Sequence, residues 1–196
     1  MDSSQQLREE VRRVYSAAAE NPQAKHPFPV GRQFAESLGY PRDWLEQLPP
    51  AALDAFAGVS NVSIFAELPA GATVLDLGCG AGLDSLIAAR RVGRTGRVIA
   101  VDFSASMLER ARSAAREAGL DNVEFYQAAA EHLPIHDDAI DVALVNGIFN
   151  LNPAREKIFL ELARVLRRGG ELFGAELILR MPLPERVKRS KSNWFA

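Results

Sequence analysis

The fold of this chain follows from the stretch Thr73-Val74-Leu75-Asp76-Leu77-Gly78-Cys79-Gly80-Ala81-Gly82. Four of its first five residues suit a buried strand, three glycines then fall at alternate positions, and residues 83–90 continue at helical spacing. The pattern predicts a strand, a glycine loop and a helix. Glycines let a ligand approach bare peptide groups, and the first turn of a helix offers unpaired N–H groups. This stretch is therefore the first candidate for a ligand site.

The glycine spacing separates this loop from two common nucleotide sites. A P-loop needs Gly-Lys followed by Ser or Thr, and no lysine follows here. A dinucleotide loop needs Gly-x-Gly-x-x-Gly, whereas Leu83 stands where its third glycine would be. The acidic Asp76 would repel a pyrophosphate but suits a ligand that carries positive charge and no phosphate, such as S-adenosylmethionine. The loop therefore disfavours a nicotinamide enzyme.

A second acid ends the next predicted strand. Asp102 lies about 20 residues beyond Gly80, the interval expected for a carboxylate that accepts hydrogen bonds from ribose hydroxyls. In a β-α-β unit the ends of the two strands lie side by side, so Asp102 should face the glycine loop. Phe103 and Met107 follow and are placed to sandwich a flat base.

These motifs together resemble a known family. The run Val74 to Gly82, the acid at Asp102 and the segment Arg164-Val165-Leu166-Arg167-Arg168-Gly169-Gly170 look like a class I S-adenosylmethionine-dependent methyltransferase, over roughly residues 70 to 180. The resemblance implies that S-adenosylmethionine is the cofactor and S-adenosylhomocysteine the product. The alternation of strands and helices predicts an α/β fold, a Rossmann-like doubly wound, mostly parallel sheet of order 3-2-1-4-5, with its ligand crevice at the carboxyl ends of strands one and four.

A narrower resemblance, to one branch of this family, is not matched by the cysteines that the chemistry of that branch needs. The segments 80–85 and 145–151 are similar to the arsenite methyltransferase branch, which supplies cysteines before strand one and after strand four. Here residues 57–61 and Gly147 occupy those regions, and the chain's single cysteine is Cys79 in the glycine loop. Trivalent arsenic is soft and wants several thiolates. We therefore expect a different small-molecule methyl acceptor, and no metal site.

The chain is predicted to consist of three regions. Residues 1–70 form a helical arm or lid, residues 71–180 the cofactor-binding domain, and residues 181–196 a short tail. Asp43 is expected to cap one of the short helices of the arm. Ser104 and Gly119 are expected to begin and end the second helix of the domain. The predicted helices are 5–20, 31–38, 43–47, 51–56, 83–91, 104–118 and 153–166, and the predicted strands are 73–77, 97–102, 122–126, 139–145 and 171–179.

The resemblance and the strand ends together give the candidate site residues. Ala129 stands where the family often has an acid for the adenine amino group, so Glu131 or a backbone carbonyl is the expected substitute, and the Ala130 N–H is a partner for a ring nitrogen. The alternative for Glu131 is a solvated acid of the loop. Asn146, Asn150 and Tyr15 are the candidates for contact with the acceptor, and the alternative for both asparagines is capping of a loop. His26 and Phe28 are further lid residues, the former a minor candidate. The full cofactor set is Asp76, Gly78, Cys79, Gly80, Asp84, Asp102, Phe103, Met107, Ala130, Glu131 and Asn146.

Composition narrows the classes of function. Hydrophobic residues make up 47% and charged residues 24% of 196 residues, and the net charge of −2 gives no field that attracts nucleic acid or a membrane. The polar start and the lack of a long apolar run predict a cytoplasmic protein. The predicted function is methyl transfer, and the alternative is a non-catalytic cofactor-binding partner or scaffold. Since the tail is shorter than in the resembled family, either the chain is truncated or a homodimer covers the edge of strand five. The basic run 186–191 is expected to be a solvated helix face.

Overall fold

The computed structural model describes residues 3–178 and residue 181. The predicted basic run and the last residue of predicted strand five lie outside the described residues. In the described part of the chain, no helix is both long and apolar enough to cross a membrane.

One parallel sheet of five strands forms the centre of the molecule. Its strand order is β3-β2-β1-β4-β5, and every neighbouring pair runs parallel, so the predicted order is confirmed. The strands are β1 (Thr73–Leu77), β2 (Arg97–Asp102), β3 (Val123–Gln127), β4 (Ile140–Asn146) and β5 (Leu166–Ala175).

Eight helices surround this sheet in the described residues. The five that precede β1 are α1 (Ser3–Glu20), α2 (Arg32–Ser37), α3 (Arg42–Glu46), α4 (Pro50–Asp54) and α5 (Val62–Phe65). The three that alternate with the strands are α6 (Leu83–Val92), α7 (Ala105–Glu117) and α8 (Arg155–Val165).

Alternate residues of the central strands bury two different faces. Val74 of β1 packs with Ala88 and Val92 of α6, whereas Leu75 packs with Ile158 of α8 on the other face. Because both faces of β1 are covered, its residues from Val74 to Leu77 are all buried without alternation, as is usual in parallel sheets. The only acid inside β1 is Asp76, which is placed near the carboxyl end of the strand. Helices on both faces make the fold doubly wound, as predicted.

The segment before β1 packs on α6 and α7. Tyr40, Leu45 and Phe56 belong to one apolar cluster with Leu86 of α6 and Ala114 of α7. Leu45 is fully buried, and its replacement by alanine would lower the free energy of unfolding by about 2–5 kcal/mol. Helices before and after residue 70 share this cluster. The predicted division of the chain at residue 70 into an arm and a domain therefore stays a prediction.

Three sequence expectations need correction. The N-cap of α3 is Pro41, and Asp43 lies inside the first turn instead of capping the helix. Helix α5 was not predicted, because contacts from elsewhere hold it: Arg91 donates to the backbone oxygens of Ser63 and Ile64 at 2.6 and 3.3 Å.

Strand β5 begins earlier and ends earlier than the predicted range 171–179. Leu166 already pairs with Ile140, and the register then shifts so that Glu171 pairs with Val142. Residues 167–170 therefore form an irregularity within the strand rather than the turn before it. The strand ends at Ala175, because that residue pairs with the last residue of β4 and no further partner follows.

Candidate active site

A large cavity opens at the carboxyl ends of β1, β2 and β4, where the sequence places the ligand crevice. Its empty volume is about 1300 Å³, including the space that opens to solvent. The register aligns Leu77 with both Val101 and Val145, so the residues that end these strands meet at one edge of the sheet. Helix α1 and residues 52–58 form the walls that face this edge. The cavity therefore lies between the sheet and the segment that precedes it.

The glycine loop after β1 is fixed by the neighbouring strand. Gly78 and Gly80 have φ angles of 78° and 53°, in the left-handed region that glycine adopts without steric cost. The N–H groups of Gly78 and Cys79 donate to the backbone oxygen of Val101 at 2.8 and 3.0 Å. The loop is thus held with its backbone along the cavity floor.

Asp102 connects the glycine loop to the start of α7. Its Oδ2 accepts a hydrogen bond from the N–H of Gly80 at 2.9 Å, and its Oδ1 accepts from the N–H of Ser104 at 2.8 Å. Burial raises the pKa of this carboxyl, while the hydrogen bonds from Ser104 and Gly80 oppose that rise. Each carboxylate oxygen has two lone pairs. The backbone groups of Gly80, Ser104 and Phe103 therefore leave part of this acceptor capacity for another donor at this edge of the cavity.

Asp76 is the most perturbed acid of the cavity. Its side chain is 2% exposed, and its Oδ2 accepts a hydrogen bond from the hydroxyl of Ser85. Burial, together with the nearby carboxylates of Asp84 and Asp102, raises the pKa of Asp76 to about 8. Without a cation beside it, this carboxyl is mostly protonated at neutral pH.

Asp84 joins three separate parts of the chain. Its Oδ1 accepts hydrogen bonds from the Tyr40 hydroxyl at 2.7 Å and from the N–H of Ser63 at 3.2 Å, and its Oδ2 accepts from Asn146 at 2.9 Å. Burial and the adjacent Asp84 raise the pKa of Tyr40, which keeps its hydroxyl a donor. The first turn of α6 is thereby tied to the segment before β1 and to the end of β4.

Helix α1 presents one face to the cavity. Arg8, Val11, Arg12 and Tyr15 follow the helical spacing of three and four and all line the cavity. The Tyr15 ring stacks on Phe28 with 4.6 Å between ring centroids. Burial raises the pKa of the Tyr15 hydroxyl, and the carboxylates of Asp102 and Glu176 raise it further. Tyr15 is therefore suited to donate a hydrogen bond and unsuited to act as a base.

The loop after β3 closes the opposite end of the cavity. Ala129, Ala130 and Glu131 line it, together with Phe103 and Met107 from the β2–α7 connection. Glu131 forms an ion pair with Arg8, with 2.6 Å between Oε1 and Nη2. The carboxylate proposed for the adenine amino group therefore already has a partner on α1.

The structure brings together all of the cofactor candidates named from the sequence, together with Tyr15 among the acceptor candidates. Asn150 does not line the cavity, and its backbone N–H donates to Glu176 at 3.1 Å. Phe28 lies behind Tyr15, and His26 donates from Nε2 to the backbone oxygen of Asn21 at 2.9 Å on the surface.

Several residues that line the cavity were not identified from the sequence. The spacing of the α1 face could have identified Arg8 and Arg12. Gly58 lines the cavity and Tyr40 binds Asp84 behind it, and neither carries a sequence signal, because their places depend on how the segment before β1 packs.

Fold and site together define a class I S-adenosylmethionine-dependent methyltransferase. Residues 68–195 match the family described as Methyltransferase domain, and the chain belongs to this family. The class, the fold and the cofactor expected from the sequence are thereby confirmed.

Relatives and solved structures agree with this assignment. An arsenite methyltransferase of Halobacterium salinarum is 37% identical over 154 residues, which are 79% of this chain and 39% of the relative. The ubiquinone/menaquinone biosynthesis C-methyltransferase UbiE of Hahella chejuensis is 40% identical over 109 residues, which are 55% of this chain and 43% of the relative. The crystal structure of CrArsM, an arsenic(III) S-adenosylmethionine methyltransferase from Chlamydomonas reinhardtii, is 29% identical with a TM-score of 0.63, and the match covers 86% of this chain and 57% of that one. The chain thus spans about two fifths of the length of these two curated relatives.

Proposed function

We propose that this chain binds S-adenosylmethionine in the cavity at the carboxyl ends of β1, β2 and β4 and transfers its methyl group to a small, largely apolar organic acceptor. The observation that carries the proposal is the set of three buried acids, Asp76, Asp84 and Asp102, around the glycine loop. In the described part of the chain, the basic residues lining the cavity are Arg8 and Arg12, and Arg8 is paired with Glu131. This excess of acidic over basic side chains suits a ligand with a sulfonium and an ammonium, whose positive charge favours the ionised carboxylates, and opposes one with a pyrophosphate.

Each part of the cofactor has a matching group among the residues that line the cavity. The remaining acceptor capacity of Asp102 suits the ribose hydroxyls, and the side chains of Phe103 and Met107 suit the base. The Ala130 N–H suits a ring nitrogen, and Asp76 suits the ammonium group. An ammonium beside Asp76 would stabilise the ionised carboxylate that burial disfavours. The bound cofactor supplies an activated methyl group, so the protein has chiefly to align the reactants and exclude water.

The acceptor side of the cavity is apolar with one basic residue. Phe56, Ala57, Ile148 and Leu151 line it, and Arg12 reaches it from α1. Arg12 is half-exposed and forms a long ion pair of 3.6 Å with Glu9, so its charge is available to an acidic group of an acceptor. An apolar molecule with one acidic group fits this surface.

Arsenite does not fit the thiols of this chain, although arsenite methyltransferases are among the relatives. Cys79 is the single cysteine and is buried in the glycine loop. Burial raises the pKa of its thiol well above the usual range. A trithiolate arsenic site cannot be built from one buried thiol. The C-methyltransferase relative points instead to an organic acceptor.

Calorimetric titration with S-adenosylmethionine, with NADH as a control, tests cofactor binding. We expect selective micromolar binding of S-adenosylmethionine, and binding of neither ligand, or of NADH alone, would contradict the proposal. Turnover is tested separately, by incubating the chain with cofactor labelled in its methyl group and small apolar acids or phenols. A labelled product would show that the chain is an enzyme and not a cofactor-binding partner without activity.

A further inference from the structure

The side-chain amide of Asn146 is fully used by its neighbours. Its Oδ1 accepts hydrogen bonds from the N–H groups of Val59 and Ser60 at 2.8 and 3.1 Å. Its Nδ2 donates to the backbone oxygen of Ser60 at 2.8 Å and to Oδ2 of Asp84 at 2.9 Å. An amide has two acceptor lone pairs and two donor hydrogens. These four hydrogen bonds therefore leave none for a methyl acceptor.

Two glycines allow the 58–60 loop to lie this close to the end of β4. A Cβ atom on Gly58 would lie 2.6 Å from Nδ2 of Asn146, and one on Gly147 would lie 2.9 Å from Cγ1 of Val59. Gly147 also has a φ of 79°, which side chains disfavour. The contact between the loop and the strand end thus depends on the absence of side chains at both positions.

Asp84 connects this contact to the cofactor side of the cavity. It lies in the first turn of α6, just after the glycine loop, and Ser85 beside it donates to Asp76. Tyr40 and Ser63, both from the segment before β1, donate to its other oxygen. The adjacent residues Ser85 and Asp84 therefore connect the first turn of α6 by hydrogen bonds to the acid of β1 on one side and, through Asn146, to the 58–60 loop on the other.

We propose that Asn146 is a positioning residue of the methyl-transfer site, which holds the 58–60 loop on Asp84 so that Ala57 and Gly58 form the acceptor wall, and that it does not itself contact the acceptor. This inference rests on the proposed function for the identity of the ligands. Since methyl transfer is an in-line displacement, the wall has to stand at a fixed distance from the glycine loop. The amide of Asn146 fixes that distance because it forms hydrogen bonds both to the 58–60 loop and to Asp84 of α6.

An isosteric change separates positioning from a general loss of stability. In Asn146→Asp the new carboxyl can donate to Asp84 when it is protonated, whereas two carboxylates repel each other when both are ionised. A protonated carboxyl has one O–H, so at low pH the variant can keep the hydrogen bond to Asp84 while it loses the one to Ser60, and it loses both as pH rises. Asn146→Ala lacks donor and acceptor at every pH.

The measurement is hydrogen exchange of the peptide that contains Val59 and Ser60, each variant compared with the wild type at the same pH and without ligand. We expect Asn146→Ala to speed exchange about tenfold throughout, the size expected when a hydrogen bond to a charged group is lost. Asn146→Asp should exchange more slowly than Asn146→Ala near pH 5 and approach it near pH 8, since it crosses the range in which a carboxyl beside another carboxylate titrates. The ratio of its dissociation constant for S-adenosylmethionine to that of the wild type should rise over the same range.

Asn61→Asp is the matched control, because Asn61 lies in the same loop but donates to the backbone oxygen of Gly39 at 3.1 Å rather than to a carboxylate. Its effect on exchange should not change with pH. If the Asn146 variants do not fold, Tyr40→Phe, which removes a donor to Asp84, should speed exchange of the same peptide.

An effect of Asn146→Asp that is the same at both pH values, or unchanged exchange in Asn146→Ala or Tyr40→Phe, would overturn the inference. Because exchange is measured without ligand, the result tests the role of Asn146 independently of cofactor binding. A wild type that fails to bind S-adenosylmethionine would overturn the proposed function by itself.

Discussion

Arg8 of α1 and Glu131 of the loop after β3 form an ion pair of 2.6 Å across the cavity mouth. The Arg8 side chain is 45% exposed, whereas that of Glu131 is 5% exposed. The pair connects residues that are far apart in the sequence and closes the cavity at the end proposed for the adenine. Helix α1 is fixed at its other end by the contact between the Ser16 and Ser104 hydroxyls at 2.8 Å. The helix is therefore held over the cavity from both ends.

Arg8→Ala should lower the free energy of unfolding by about 1–3 kcal/mol, because it leaves the buried carboxylate of Glu131 without its cation. Denaturant unfolding measures this change. Arg13→Ala is the control, since Arg13 is exposed on the same helix and its loss should change stability by less than about 0.5 kcal/mol. A double-mutant cycle with Glu131→Ala should show coupling, and equal effects of the two arginine variants would contradict the role of the pair.

Asp102→Ala should weaken binding of S-adenosylmethionine by about 1–3 kcal/mol, because the ribose hydroxyls and the N–H of Gly80 lose their acceptor. Calorimetric titration of the two proteins measures the difference. Asp121→Ala, at an exposed position outside the cavity, should bind as the wild type does. An unchanged dissociation constant for Asp102→Ala would remove this residue from the site.

Binding of S-adenosylmethionine should depend on pH through Asp76. Its pKa of about 8 without ligand means that the carboxyl must lose a proton before it can pair with the ammonium group. Affinity should therefore rise by up to tenfold per pH unit below about pH 8 and level off above it. Titrations at one pH in buffers of different ionisation enthalpy should show proton release, which Asp76→Asn should abolish. A pH-independent affinity with no proton release would contradict this prediction.

The same pKa makes a prediction about stability in the absence of ligand. The folded value of about 8 lies above the ordinary value of about 3.9 for an unfolded chain, so folding takes up a proton between the two. The contribution of Asp76 to stability is fully present below about pH 4 and is lost as pH rises through about 8. Relative to Asp76→Asn, the unliganded wild type should therefore lose stability from acid to neutral pH in denaturant unfolding.

Arsenite with cofactor and a thiol reductant should give no methylated arsenic above background, because the chain has one cysteine and it is buried. Chromatography of arsenic species after incubation provides the measurement. The arsenite methyltransferase of Halobacterium salinarum, assayed in parallel, shows that the conditions support the reaction. Turnover by this chain would show that the argument from its cysteine count is wrong.

The central β-α-β elements could be predicted almost to the residue. Strands β1 and β2 have their predicted bounds, and Ser104 caps α7 by accepting from the N–H of Met107 at 3.3 Å. These elements carry their own local signals: an apolar strand, a glycine loop, a capping hydroxyl. Helix α5 and the early start of β5 had none, because an arginine of α6 stabilises the first and pairing with β4 determines the second.

The sequence by itself determined the class of fold, the strand order and the acids that line the ligand cavity, because glycine spacing and strand ends fix which residues a parallel sheet brings to one edge. Only the tertiary structure decided which groups the amide of Asn146 binds. The sequence left open whether its amide faces an acceptor or caps a loop. The structure shows the amide bonded to Val59, Ser60 and Asp84. The reason is physical: these partners come from segments that are distant in the chain, and only the packing of residues 32–66 against α6 and α7 brings them within hydrogen-bond distance.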